Sequence, residues 1–177
     1  KRSEKAGIYI KSGKGNRVAR CIILNCGIGI YLYDGSERNV VEDCRVYYVY
    51  SEIVVRKNSD LNIIRNNHCH NTSTGGGDPD GILVQGCDYL VLQGNVCETC
   101  VKHGIFVQAN GSLGGGSSGL AIVDNVCQGN SNDGMHLDGL DSYPIVKNTI
   151  TGNSCCGNTE KGIYLEDYCR GTAVVGN

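Results

Sequence analysis

Along this chain aliphatic residues alternate with others in short bursts, and the bursts recur. Ile8 and Ile10, Ile30 and Leu32, Ile53 and Val55, Ile82 and Val84, Ile105 and Val107, Met135 and Leu137, and Ile163 and Leu165 stand one and three residues after an anchor. The anchors are Gly7, Gly29, Glu52, Gly81, Gly104, Gly134 and Gly162. A period of two means a strand that turns one face inward. The anchors follow one another at 22, 23, 29, 23, 30 and 28 residues, a basic repeat of 22 or 23 with about six residues added in three coils. A second series runs in phase with the first: Cys21, Cys44, Asn67, Asn95, Asn125, Asn148 and Asn177. Strands of four to five residues, one per short repeat, cannot bury an apolar face alone, so successive coils must stack in parallel. The spacing predicts an all-β parallel solenoid of about seven coils, with residues 1–177 as one domain.

Composition agrees with that architecture. Twenty-six Gly beside two Pro suit many tight corners, and no Trp with one Phe argues against a large aromatic core. A net charge of −2 speaks against nucleic acid or an anionic membrane surface as partner. No apolar run is long enough for a membrane span. The eleven Cys are sorted by register more than by number. Cys69, Cys97 and Cys127 share an inward position with Ile23, Val46 and Ile150, as small core residues do. Cys21 and Cys44 occupy one corner of adjacent coils, a placement that permits a disulfide. Cys97-x-x-Cys100 with His103, and His68 with His70, are metal-ligand types at short spacing that also serve as buried thiols and solvated imidazoles.

These residues resemble the right-handed parallel β-helix superfamily, the pectate-lyase-like solenoids. Its profile is Asn-x-Ile-x-x-Asn-x-Ile-x-x-Asn-x-x-x-Gly-Ile-x-Leu, and the stretch from Asn125 to Leu137 matches it. The resemblance implies a single-stranded right-handed coil. It also implies a ladder of stacked corner amides, formed here by Asn67, Asn95, Asn125, Asn148 and Asn177, with Cys21 and Cys44 in its place in the first two coils. Asn177 falls in an unfinished coil. Bare solenoid ends expose unpaired strand edges, so the expectation is a longer solenoid, further domains in the same chain, or end-to-end or lateral self-association.

If positions one and three after the anchor point inward, positions two and four point outward and stack into two columns. The first is Tyr9, Tyr31, Val54, Leu83, Phe106, His136 and Tyr164; the second is Lys11, Tyr33, Arg56, Gln85, Gln108, Asp138 and Glu166. Flat apolar rings beside cations, amides and carboxylates suit an extended polysaccharide, with the cations directed to acidic sugars. Tyr9, Lys11, Tyr31, Tyr33, Arg56, Gln85, Phe106, Gln108, Tyr164 and Glu166 are the candidate substrate contacts. Outward aromatics in register also stabilise a sheet with no ligand.

Within this strip His136 and Asp138 share a strand, and Asp133 lies in the turn before it. An acid and a base so placed suit removal of the proton beside a uronate carboxylate, giving epimerisation or β-elimination. His136, Asp138 and Asp133 are the candidate catalytic residues. The chain is similar to mannuronan C5-epimerases and related alginate or pectate lyases. Gly134-Met-His-Leu-Asp138 matches their Gly-Phe-x-x-Asp strand, and Gly77-Asp78-Pro79-Asp80 resembles their Asp-Pro-His motif, with Asp80 in place of His and the motif in the loop before the strand. Calcium is frequent in lyases of this fold, and Asp78 and Asp80 are the candidate ligands. The resemblance points to an extracellular or cell-surface location. The rival reading is a non-catalytic structural or adhesive surface fibre, in which the strip contacts neighbours or glycans.

Overall fold

A computed structural model describes residues 5–70, 72 and 79–177. Asp78 lies outside these residues. Three parallel sheets run the length of a right-handed coil. The first contains Ala6–Lys11, Ile28–Tyr33, Ser51–Arg56, Ile82–Gln85, Ile105–Gln108, Met135–Asp138 and Ile163–Leu165, in chain order. The second runs from Arg17–Ala19 to Ala173–Val175, and the third from Ile22–Leu24 to Ser154–Cys156. Each strand pairs with its equivalent one coil away, so backbone donors and acceptors are satisfied between coils instead of within them.

The inward aliphatic positions meet in one continuous core, with Ile30, Ile53, Ile82, Ile105 and Met135 fully buried. The anchor positions carry Gly because the interior leaves no room there. A Cβ on Gly104 would lie 2.7 Å from the Gly134 carbonyl oxygen and 3.0 Å from Cys127 Cβ, closer than side-chain carbons approach. Glu52 is the exception. Its carboxyl is wholly buried and neither oxygen makes a hydrogen bond among the described residues, and burial holds its pKa well above the usual carboxylate range.

The corner between the second and third sheets repeats in each coil. Arg20, Asp43, Asn66, Gly94, Asp124, Gly152 and Gly176 all have φ between 53° and 67°, the left-handed conformation that turns the chain. Each precedes a ladder position. Asn95 Oδ1 accepts from the backbone N–H of Asn67 at 3.1 Å and from its Nδ2 at 3.0 Å. Asn125, Asn153 and Asn177 continue the ladder. A second ladder, Asn16 to Asn39 to Asn62, guards the entry to the second sheet.

The expected Asn148 is therefore replaced by Asn153 in the first ladder. Asn148 lies in the other corner, where its Oδ1 accepts from Leu120 N–H at 2.9 Å. The sixth coil carries an extra turn in which Leu140 and Tyr143 bridge each other, so the coil is 28 residues from Asn125 to Asn153. The 23-residue spacing to Asn148 matched the basic repeat by coincidence. The same slip moves Cys155, not Ile150, into register with Cys127. It also makes Ser154–Cys156 the strand of the third sheet in this coil. All eleven thiols are free, and Cys21 and Cys44 bond the carbonyls of Ala19 and Glu42 instead of each other.

Candidate functional site

The outward columns of the first sheet are in register along its length. Tyr9 pairs with Tyr31, Tyr31 with Val54, Val54 with Leu83, Leu83 with Phe106, Phe106 with His136 and His136 with Tyr164. The second column follows from Lys11 through Tyr33, Arg56, Gln85 and Gln108 to Asp138. Alternation along each strand placed these side chains on one face, but it left their exposure open.

The first end of the strip is aromatic and cationic. The Tyr9 and Tyr31 rings lie 5.3 Å apart and those of Tyr31 and Tyr33 5.2 Å apart. Lys57 Nζ sits 5.2 Å from the Tyr33 ring centre and 2.8 Å from Asp34, which Lys11 also approaches at 3.7 Å. The hydrogen bond from Lys57 holds the Asp34 carboxyl below its ordinary range. Burial raises the Tyr31 phenol, opposed by the Arg56 guanidinium that bonds it.

The middle of the strip is closed. Val54 and Leu83 have no exposure and Phe106 has 4%, and these three pack as a small cluster of their own beside Ile28 and Tyr31. Gln85 is buried too, its amide Nε2 donating to Gln108 Oε1 at 2.6 Å. Phe106 and Gln85, expected as ligand contacts, are buried in this face, Phe106 by apolar packing and Gln85 through its hydrogen bond to Gln108.

The far end holds the titratable groups. His103, Asp133 and His136 are 5%, 1% and 8% exposed. His136, expected to stand in solvent beside Asp138, is buried between two other carboxylates. Its Nδ1 is 3.2 Å from Asp133 Oδ2 and its Nε2 is 2.8 Å from Glu166 Oε2. Asp133 Oδ2 is also 3.3 Å from His103 Nδ1, while Asp133 Oδ1 accepts from Lys161 N–H at 3.0 Å. The two imidazole rings meet edge to face at 4.8 Å. Burial, then the neighbouring His136, pushes the His103 pKa down to about 4. One ligand-type atom from each of His103, Asp133 and His136 lies within 4.8 Å of the others. Asp138 is partly exposed, and burial followed by the nearby Glu166 raises its carboxyl. The Tyr164 hydroxyl donates to Glu166 Oε1 at 3.3 Å, and its ring lies tilted against His136 with centres 4.8 Å apart. Lys161 Nζ lies 4.1 Å from the Tyr164 ring centre.

Asp80, the described half of the expected calcium pair, is buried one coil before His103, whose N–H its Oδ1 accepts at 3.1 Å. The sequence offered His103 as a metal-ligand type beside Cys97 and Cys100, not as a partner of Asp133 and His136. Yet Asp80, His103, Asp133 and Lys161 all stand one residue before an anchor glycine, and that shared register is what brings them to one edge of the strip.

Comparison with known proteins follows this geometry. The profile of the right-handed beta helix region matches residues 6–177. A periplasmic alginate epimerase, AlgG, superposes with a TM-score of 0.75 at 18% identity, over 96% of this chain and 42% of that one. An alginate lyase from Paenibacillus sp. str. FPU-7 superposes with a TM-score of 0.57 at 16% identity, over 96% of this chain and 77% of the lyase. The chain spans less than half of the epimerase, and at these identities the likeness is one of fold. No curated protein matches the chain. Among the described residues no helix is long and apolar enough to cross a membrane. The stacked coils, the amide ladders and the profile match over 6–177 lead to one assignment: the chain belongs to the right-handed β-helix family.

Proposed function

We propose that this chain binds an acidic polysaccharide along the outer face of its first sheet and acts on uronate residues by removing the C5 proton, as an epimerase or a lyase of an extracellular or surface-located protein. The observation that carries this reading is the clustering of Asp138, Glu166 and Tyr164 around His136, on the sheet that also carries Arg56, with Lys57 just beyond the same strand. The similarity in fold to an alginate epimerase and an alginate lyase supports it.

Asp138 is the base. It is the partly exposed carboxylate of the cluster on the strand, whereas His136 and Asp133 lie behind it. The C5–H bond breaks, its proton passes to Asp138, and the electron pair spreads into the uronate carboxylate, where positive charge must stabilise it. Tyr164, on the next coil, supplies a proton. Delivered to the opposite face of C5 it completes epimerisation; delivered to the departing C4 oxygen it completes elimination, as the C4–O bond breaks and a C4–C5 double bond forms. His136 and Glu166 position Tyr164 through the ring contact and the hydroxyl hydrogen bond.

The test is incubation with alginate, pectate and a neutral glucan, with and without calcium, following ultraviolet absorbance of unsaturated uronates and solvent-deuterium incorporation at C5. Reaction on a uronate polymer that is lost in Asp138→Asn supports the reading. If no polymer reacts or binds, the strip is a packing or contact surface, and the structural or adhesive fibre takes its place.

A further inference from the structure

The His103, Asp133 and His136 side chains pose an electrostatic problem. Glu166 Oε2 lies 2.8 Å from His136 Nε2, and a carboxylate accepts, so the proton of a neutral His136 sits on Nε2 and its lone pair on Nδ1. That Nδ1 is buried and makes no hydrogen bond, although it faces Asp133 Oδ2 at 3.2 Å. His103 Nδ1 accepts from Asp133 N–H at 3.3 Å, which marks it as unprotonated, and it lies 3.3 Å from the same Asp133 oxygen; a metal ion there would take over the lone pair from this long hydrogen bond. Two unprotonated imidazole nitrogens thus stand against one carboxylate oxygen in a largely buried place, an arrangement that positive charge between them would stabilise.

The spacing fits a metal ion. With metal–nitrogen and metal–oxygen bonds of about 2.0–2.2 Å, tetrahedral ligand atoms stand about 3.3–3.5 Å apart, against 3.3 and 3.2 Å for the two measured edges. Two imidazole nitrogens and one carboxylate oxygen favour a first-row transition ion over calcium, which prefers a shell of oxygens. Three protein ligands leave coordination open to an outside group. Glu166 on the far nitrogen of His136 supplies the carboxylate that orients a ligating imidazole and fixes its tautomer.

We propose that His103, Asp133 and His136 form a binding site for a divalent transition-metal ion of the zinc class, with Glu166 as the carboxylate that orients His136. The site stands on its own geometry; its role, to neutralise the uronate carboxylate beside Asp138, rests on the function proposed above.

The experiment uses the full chain, stripped of metal and free of sugar. Zn2+ is titrated calorimetrically, and Co2+ serves as a spectroscopic probe because the eleven thiols could otherwise hold zinc. One equivalent is expected to bind, with weak visible cobalt bands and no intense thiolate-to-cobalt charge transfer. Asp133→Asn keeps the oxygen that caps Lys161 N–H and removes the charge; it and His103→Gln should weaken binding by more than about 100-fold, and Glu166→Gln by about 10- to 100-fold. His68→Gln, on the third sheet beside Glu98, should leave the affinity unchanged. Circular dichroism checks that each variant folds, and the Asn and Gln changes are paired so that loss of one fold leaves the other readable. No saturable binding, thiolate charge transfer, or undiminished binding in the folded variants would overturn the site, as would a doubly protonated His136 seen by NMR in its place. Because no sugar is present, failure here leaves the uronate reading intact, and inactivity on uronates leaves the metal site intact.

Discussion

The two ends of the outer strip share a backbone, a strand register and a coil spacing, and they differ in what they do with charge. At the first end, Tyr9, Tyr31 and Tyr33 stack beside Lys11, Arg56 and Lys57, with Tyr9 52% exposed. At the far end, His103, Asp133 and His136 lie buried under Asp138, Glu166 and Tyr164. Between them Val54, Leu83 and Phe106 form an apolar divide. Exposed cations beside water attract a polyanion along its length at little desolvation cost, whereas buried charge is expensive and is kept where it acts on one bond. A solenoid can keep two such environments apart, because each coil can vary its outward residues while its inward ones stay fixed.

The largest expected effect breaks the far end alone. Asp138→Asn should lower kcat on a reactive uronate polymer by about 10²- to 10⁴-fold, the usual range for a lost general base, with KM nearly unchanged. A loss of binding instead of turnover would move Asp138 to the substrate-contact class. Next comes a change that should not distinguish the ends. Asn95→Ala strands the backbone N–H and Nδ2 of Asn67, two buried donors whose desolvation should cost about 2–4 kcal/mol. Denaturant unfolding checks this, and a single cooperative transition with a reduced midpoint is expected.

How much of this was legible in the sequence differs by layer. Inward and outward positions were readable, since alternation is set within a strand of a few residues. The corner ladder was readable through five coils and then slipped, because the Leu140 to Tyr143 turn lengthens the sixth coil without disturbing the local Asn pattern. At the site, the columns were readable but the burial was not. His136 and Asp138 are sequence neighbours, yet the close partners of His136 are Asp133 and Glu166, one of them 30 residues away.

A smaller effect is expected from the first end. Arg56→Gln should raise KM for a uronate polymer about tenfold, roughly 1.4 kcal/mol of binding, and leave kcat in place; measurement at two salt concentrations should show the parent more salt-sensitive than the variant. A change in kcat would join the two ends into one reacting centre. The last test concerns Glu52, inside the coil beneath the divide. Its folded pKa is raised, so the folded state binds a proton that the unfolded chain releases above about 4.5, and stability falls as pH rises from there toward the folded pKa. Glu52→Met should therefore melt higher than the parent, by a margin that widens from pH 5 to pH 8 by on the order of 1 kcal/mol per unit at most. An unchanging margin would mean that the carboxyl is already paired, and altered KM would mean that the interior reaches the strip.

The sequence by itself determined the coil and the order of side chains along each column, because these follow from periods of two and of 22 or 23 residues that any stretch of chain displays; the right hand of the coil came with the resemblance to the β-helix family. Only the tertiary structure decided which outward residues meet water, which Asn closes the sixth coil, and that His103, Asp133 and His136 converge on one oxygen. Those outcomes depend on loops of unequal length bringing distant residues within about 3 Å, a distance set by the stacking of neighbouring coils at about 4.8 Å and by side-chain direction, which no local pattern records.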